Sequence, residues 1–201
     1  MTTRSFAIFI LAHVCVFMIS TSIAQLVIDT NGEPVEAGDE YFIRPAITGN
    51  GGTTLVNRNG SCPLDVGLDQ NSDLPGLIVV FVPFSSNHDD EDVRLSRDLR
   101  VQFLVSNCGQ SSEWRLGERD ATSGRRHITT GRDDGTVGSF GNFFRIVQSQ
   151  TLGIYNIQWC PTEVCPRCWF ACGTVGIIRE NGKSLLALDG GDALPVVFQK
   201  E

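Results

Sequence analysis

The sequence is poor in the features that build helices. No window of about eleven residues or more holds a 3.6-residue apolar period, and 21 glycines are more than a helical bundle tolerates. Charge is sparse as well. Only 19% of residues are charged, the net charge is −7 and the pI is about 4.9, which argues against nucleic acid or an anionic membrane surface as a partner. Past residue 24 no stretch is apolar and long enough to span a bilayer. Histidine is scarce: of three, His13 lies in an N-terminal apolar run, and His88 and His127 stand in polar segments that read as solvated loops. There is no G-x-S-x-G, and no Cys-His pair to activate a nucleophile. An enzyme is therefore not expected. No Pro- or Ser-rich linker divides the chain, and no internal repeat is visible by eye, so a single domain is expected.

What the chain does have begins with a sorting signal. A short basic start, Met1 to Arg4, leads into the apolar run of residues 6–19. Small residues follow at Ser22 and Ala24, which places cleavage after Ala24 and the mature chain at residues 25–201. The protein is thus expected to enter the secretory pathway, destined for the extracellular space or the vacuole, and to be free of the membrane after cleavage. Cys15 leaves with the signal. Six cysteines remain, at positions 62, 108, 160, 165, 168 and 172. The C-terminal four could hold an iron–sulfur cluster, since Cys160, Cys165 and Cys168 have C-x4-C-x2-C spacing, or a zinc ion. Both need reduced thiolates, and an oxidising compartment favours three disulfides instead. No cofactor or metal is expected. The acidic run from His88 to Asp92 lacks the alternation and the glycine of a calcium loop. Asn59-Gly60-Ser61 is an N-glycosylation sequon in a turn-like setting.

Short β-rich runs recur along the mature chain, bounded by Gly, Asn, Asp or Pro. They cover residues 41–44, 77–84, 99–105, 113–116, 143–147, 154–159, 175–178, 185–188 and 196–198. Leu99-Arg-Val-Gln-Phe103 alternates, as a strand with one wet face should. Leu77-Ile-Val-Val-Phe-Val82 is apolar throughout and reads as buried on both sides. Residues 49–53, 85–92 and 119–138 read as long polar loops. Such spacing specifies an all-β sandwich or barrel.

Several landmarks, in order, resemble the plant Kunitz (soybean trypsin inhibitor) family. Val27-Ile-Asp29-Thr-Asn-Gly32-Glu-Pro-Val35 is followed by Tyr41-Phe-Ile43. Gly51-Gly52 precedes Cys62-Pro-Leu, and Ser112-Glu-Trp114-Arg-Leu116 follows Cys108. Phe143-Phe-Arg-Ile146, Trp159-Cys160-Pro161, Gly176-Ile-Ile178 and the run 185–188 complete the set. The cysteine quartet is similar to that of the miraculin-like branch. The resemblance implies a disulfide-stapled β-trefoil, a six-stranded barrel closed by three hairpins. It also implies bridges Cys62–Cys108, Cys160–Cys172 and Cys165–Cys168. The expected activity is inhibition of an extracellular or vacuolar protease by a monomer. The alternative is a non-inhibitory role in storage, defence or ligand binding.

The family inhibits by offering a braced loop to the protease cleft as a substrate would. The matching loop here follows Val82-Pro83 and contains Phe84, Ser85, Ser86, Asn87 and His88, with the reactive bond expected at Ser85–Ser86. Arg94–Leu95 is the fallback. The loop has no Lys or Arg, carries Asp89, Asp90, Glu91 and Asp92, and has Ala37 where inhibitory members place a bracing Asn. It should be repelled by the aspartate at the base of a trypsin specificity pocket, so weak or absent trypsin inhibition is expected.

Overall fold

Alternating burial along short strands organises the structure. The computed structural model describes residues 25–47, 49–60, 62–84, 91–105, 108–132, 140–188 and 192–201. Residues 1–24, expected to be a signal segment, and Ser85, Ser86, Asn87 and His88 of the expected inhibitory loop lie outside them. Among the described residues there is no helix, and twelve strands account for the fold. In chain order they are β1 (Tyr41–Pro45), β2 (Thr53–Val56), β3 (Asp65–Leu68), β4 (Val79–Pro83), β5 (Leu99–Phe103) and β6 (Trp114–Arg119), then β7 (Arg126–Thr130), β8 (Arg145–Gln148), β9 (Tyr155–Trp159), β10 (Gly173–Glu180), β11 (Lys183–Leu188) and β12 (Val196–Lys200).

Six of these close a barrel. β12 pairs with β1, β1 with β4 and β4 with β5, while β8 pairs with β9 and β9 with β12. The seam between β5 and β8 is shut by reciprocal backbone bonds between Leu99 and Phe144, both 2.8 Å. The other six strands form the hairpins β2–β3, β6–β7 and β10–β11. Their inner strands β3, β7 and β11 pair with one another and cap the barrel. This is a β-trefoil: each run of four strands supplies two staves and one cap hairpin. The threefold repeat is therefore in the topology, although no repeat is evident in the sequence.

One side of each stave fills the interior. Tyr41 and Ile43, Phe81, Val101, Ile146, Ile157 and Phe198 are all buried. Phe198 is edge-on to Phe81 at 5.3 Å and stacks on Tyr155 at 5.5 Å. Burying such rings stabilises the fold by roughly 1.5–3 kcal/mol each. Gly51 and Gly52 are buried where the chain crosses itself. A Cβ on Gly52 would lie 1.7 Å from the Pro75 carbonyl oxygen, so only glycine fits there.

Four sequence expectations are corrected. Residues 126–130 were expected in an exposed loop but form β7, which has β6 and β11 on its two sides and is covered by the barrel. His127 is accordingly 3% exposed rather than solvated. β4 is not buried on both faces: Val80 and Val82 are half-buried, because they point outward from the barrel. β2 and β3 were not recognised as strands at all.

Candidate functional site

The segment that matches the family's inhibitory loop leaves the barrel at the end of β4. Phe84 donates its N–H to the Asp98 carbonyl at 2.8 Å, and its ring sits edge-on to Phe143 at 5.6 Å. The ring is still 45% exposed. On the far side Glu91 is held by the Ala37 N–H, and Glu36 and Asp92 form a bridge. Ala37 therefore supports the loop's exit by its backbone, while its methyl group offers no hydrogen bond to loop carbonyls.

Beyond Asp92 the chain is fixed. Val27, Val35 and Val93, all fully buried, bond in a ring: Val27 N–H to Val93 O at 2.9 Å, Val93 N–H to Val35 O at 2.7 Å, and Val35 N–H to Val27 O at 2.8 Å. Arg94 forms a bridge with Leu26, and Leu95 donates to the Gln25 carbonyl at 2.8 Å and is 9% exposed. The peptide Arg94–Leu95 is thus paired at the base of the loop and is not offered to solvent.

The N-terminal segment that does this pairing is itself held by the protein's two tyrosines. The Tyr155 hydroxyl accepts the Ile28 N–H at 2.9 Å, and the Tyr41 hydroxyl accepts the Glu36 N–H at 3.0 Å. The Asp29 carboxylate accepts from the backbone N–H of Asn31 and of Glu33, at 2.8 and 3.0 Å. That is the turn chemistry behind the Val27–Val35 pattern. Sequence reasoning had no signal for the two hydroxyls, since their partners lie far away in sequence or across a turn.

Disulfides join Cys62 to Cys108, Cys160 to Cys172 and Cys165 to Cys168. With these six sulfurs in disulfides, none of them is a thiolate ligand for an iron–sulfur cluster or zinc. The excursion 160–172 is anchored further by Asp98, whose carboxylate accepts the N–H groups of Glu163 and Val164 at 2.7 and 3.0 Å. Glu163 returns the bond from the Asp98 N–H at 2.9 Å, and Arg97 holds its carboxyl below the usual range. Asp98 is fully buried and paired with the Arg145 guanidinium.

A second polar cluster sits in the cap. Asp65 and His127 approach within 3.5 Å, beside an open cavity of about 240 Å³ also lined by Arg58 and Asp120. Burial pushes the Asp65 carboxyl up to about 6 and the His127 imidazole down. Asn59, the sequon residue, is exposed at the rim of the same cavity.

Comparison with known proteins gives concordant results. Residues 27–200 match the family described as Kunitz legume, trypsin and protease inhibitor. The chain is 71% identical to Kunitz type trypsin inhibitor 104 of Medicago truncatula over 203 residues, covering all of both chains. It is 32% identical to miraculin of Synsepalum dulcificum, over 81% of this chain and 77% of that one. Among solved structures, the Kunitz-type cysteine protease inhibitor of potato superposes with a TM-score of 0.75 at 26% identity, covering 89% of this chain and 98% of that one.

Proposed function

The chain belongs to the plant Kunitz family of trypsin and protease inhibitors, and from that premise we propose that it is a secreted or vacuolar protease inhibitor whose loop 84–92 is not directed at trypsin. The observation that carries this reading is the pairing of the Arg94–Leu95 peptide with the N-terminal segment. It fixes the nearest basic residue at the loop's base, and the sequence of residues 84–92 holds only Phe, Ser, Asn, His and acidic residues. A small residue at Ser85–Ser86 suits a protease with a shallow specificity pocket, such as an elastase- or subtilisin-like enzyme. Ends fixed by Asp98, Ala37 and the valine ring lower the entropy lost when the loop docks. The name of the Medicago relative describes a trypsin inhibitor, and the loop chemistry here points away from that target.

The route to such a compartment is through the signal segment, with cleavage after Ala24, and three disulfides support an oxidising destination. Exposure of Asn59 supports glycan attachment, which mass spectrometry before and after glycosidase treatment would test. A titration of the mature protein against subtilisin, elastase, papain and trypsin tests the function. Inhibition of subtilisin or elastase that is lost when Ser85 and Ser86 are both changed to Pro supports it. No inhibition of any of the four would favour a storage or ligand-binding role.

A further inference from the structure

Gly32, Gly51, Gly60 and Gly182 each follow an asparagine. Such a pair is prone to lose the asparagine's side-chain amide, because glycine has no Cβ to shield its backbone nitrogen. In that reaction the glycine nitrogen gives up its proton and attacks the asparagine Cγ. A C–N bond forms, the side-chain nitrogen leaves as ammonia, and a succinimide ring remains. Water then opens the ring at either carbonyl, giving aspartate or isoaspartate. Two conditions follow from this chemistry. The glycine N–H must not be tied up in a hydrogen bond. The asparagine must also reach a ψ of about −120°, the value at the first central residue of a type II′ turn, where Cγ and the glycine nitrogen come together.

Three of the four pairs fail the first condition. The Gly32 N–H donates to the Asp29 carbonyl at 3.2 Å, and the Asn31 side chain is held by the Asp29 carboxylate at 3.3 Å. Gly51 is buried and donates to the Asp69 carbonyl at 2.9 Å, while the Asn50 side-chain amide donates to that same carbonyl and to the Ser184 hydroxyl, both at 3.2 Å. The Gly60 N–H donates to the Asn57 side-chain oxygen at 2.6 Å. The pair Asn181–Gly182 differs. It is the turn of the β10–β11 hairpin, exposed at both residues, and its Gly182 N–H has no acceptor among the described residues.

The turn also meets the second condition. Asn181 and Gly182 have φ of 49° and 76°, the left-handed pair of a two-residue type I′ turn. A flip of the single peptide between them converts I′ to II′. That flip breaks no bond of the hairpin, since the pairing of Glu180 with Lys183 and the Gln70 side-chain bond to the Gly182 carbonyl at 2.7 Å both lie outside it. Nothing stands within 4 Å of where a Gly182 Cβ would be. We infer that Asn181 is the chain's site of spontaneous deamidation, converted through a succinimide with Gly182 to aspartate and isoaspartate, while hydrogen bonds hold back the other three Asn–Gly pairs. Each conversion adds one negative charge, and isoaspartate adds one carbon to the backbone of the turn. β11 is buried from Ser184 to Leu188, so the change stays in the turn, where the new carboxyl is open to a methyltransferase that recognises isoaspartate.

The test is timed incubation of the mature, disulfide-intact protein at neutral pH, well below its unfolding temperature. The protein is made without glycan so that Asn59 keeps its amide. Peptide mapping by mass spectrometry follows the gain of one dalton at each pair, and methyl transfer from S-adenosylmethionine by an isoaspartyl methyltransferase reports isoaspartate. Asn181 should convert first, and faster at higher pH as the Gly182 nitrogen more readily loses its proton. Each of the other three should be about fivefold slower or more, the factor set by giving up one hydrogen bond. Asn181→Gly keeps a turn that accepts positive φ at both positions and should abolish the early methyl acceptance. Asn57→Ala removes the acceptor of the Gly60 N–H and should raise the rate at Asn59 by about fivefold. Equal rates at the four pairs, a faster rate at Asn31, Asn50 or Asn59, or an unchanged Asn181 after a short Asn-Gly peptide has fully converted would each overturn the inference. No rise at Asn59 in Asn57→Ala would overturn the protective role of the hydrogen bond.

Discussion

Two excursions leave the barrel on either side of Asp98, and they differ in charge. Of the segment 84–91 the described ends are attached, Phe84 to the Asp98 carbonyl and to Phe143, and Glu91 to Ala37. Its chemistry is acidic. The segment 160–172 is attached along its length by two disulfides, by the Asp98 carboxylate and by Phe170, and its exposed charge is basic. One residue thus serves both, with its carbonyl on one side and its carboxylate on the other. A shared scaffold can carry two loops of contrary charge because each draws on local supports, and target chemistry follows from the loop rather than from the fold.

Removing the shared support should have the largest effect. Asp98→Ala leaves the half-buried Arg145 without its carboxylate and two amides without an acceptor, and should cost about 3–5 kcal/mol. Thermal unfolding measures it. An effect below about 1 kcal/mol would show that Asp98 is not the common anchor.

The bridges should separate next. In the chain-entropy model, replacing Cys62 and Cys108 with Ser costs about 4 kcal/mol, and replacing Cys165 and Cys168 costs about 2 kcal/mol, because the second pair closes a far shorter loop. Thermal unfolding of the two variants measures the difference, and equal losses in both would contradict the dependence on loop length.

A smaller effect belongs to the cap, away from both excursions. Burial raises the Asp65 carboxyl from 3.8 to about 6, so the folded state binds a proton more tightly than the unfolded state. The stability this confers is fully present below pH about 4 and is lost as pH rises through about 6. Asp65→Asn should remove that dependence. Its stability relative to wild type should rise by about 2 kcal/mol between pH 4 and pH 7, while the chemistry of both loops stays unchanged. A constant difference across that range would contradict the burial of an ionisable Asp65.

The staves of the barrel were the easiest part to read from sequence, because one face is wet and the alternation of Leu99-Arg-Val-Gln-Phe103 survives. The cap was harder. Asp65-Val-Gly-Leu68 is buried at all four positions, and Gly67 is there because a Cβ would meet the Ser184 carbonyl oxygen at 2.3 Å. A strand covered on both sides, with glycine inside it, shows no alternation. Arg126-His-Ile-Thr-Thr130 was hidden in the same way, since both His127 and Ile128 are buried. The polar loop expected at 85–92 lies mostly outside the described residues, while the fixed place of Arg94 was legible from the strand that follows it. Asp98 was not legible as an anchor. An isolated aspartate before a strand gives no sign that its partners lie near residue 163, and the tyrosine hydroxyls that hold the N-terminal segment are silent for the same reason.

The most direct test of the reading of segment 84–92 is a trypsin titration of the mature protein beside its Arg94→Ala variant. The pairing of Arg94 with Leu26 and the burial of Leu95 predict identical curves, with no inhibition stronger than micromolar in either. Submicromolar inhibition by the wild type that disappears in Arg94→Ala would show that Arg94–Leu95 is the reactive bond after all.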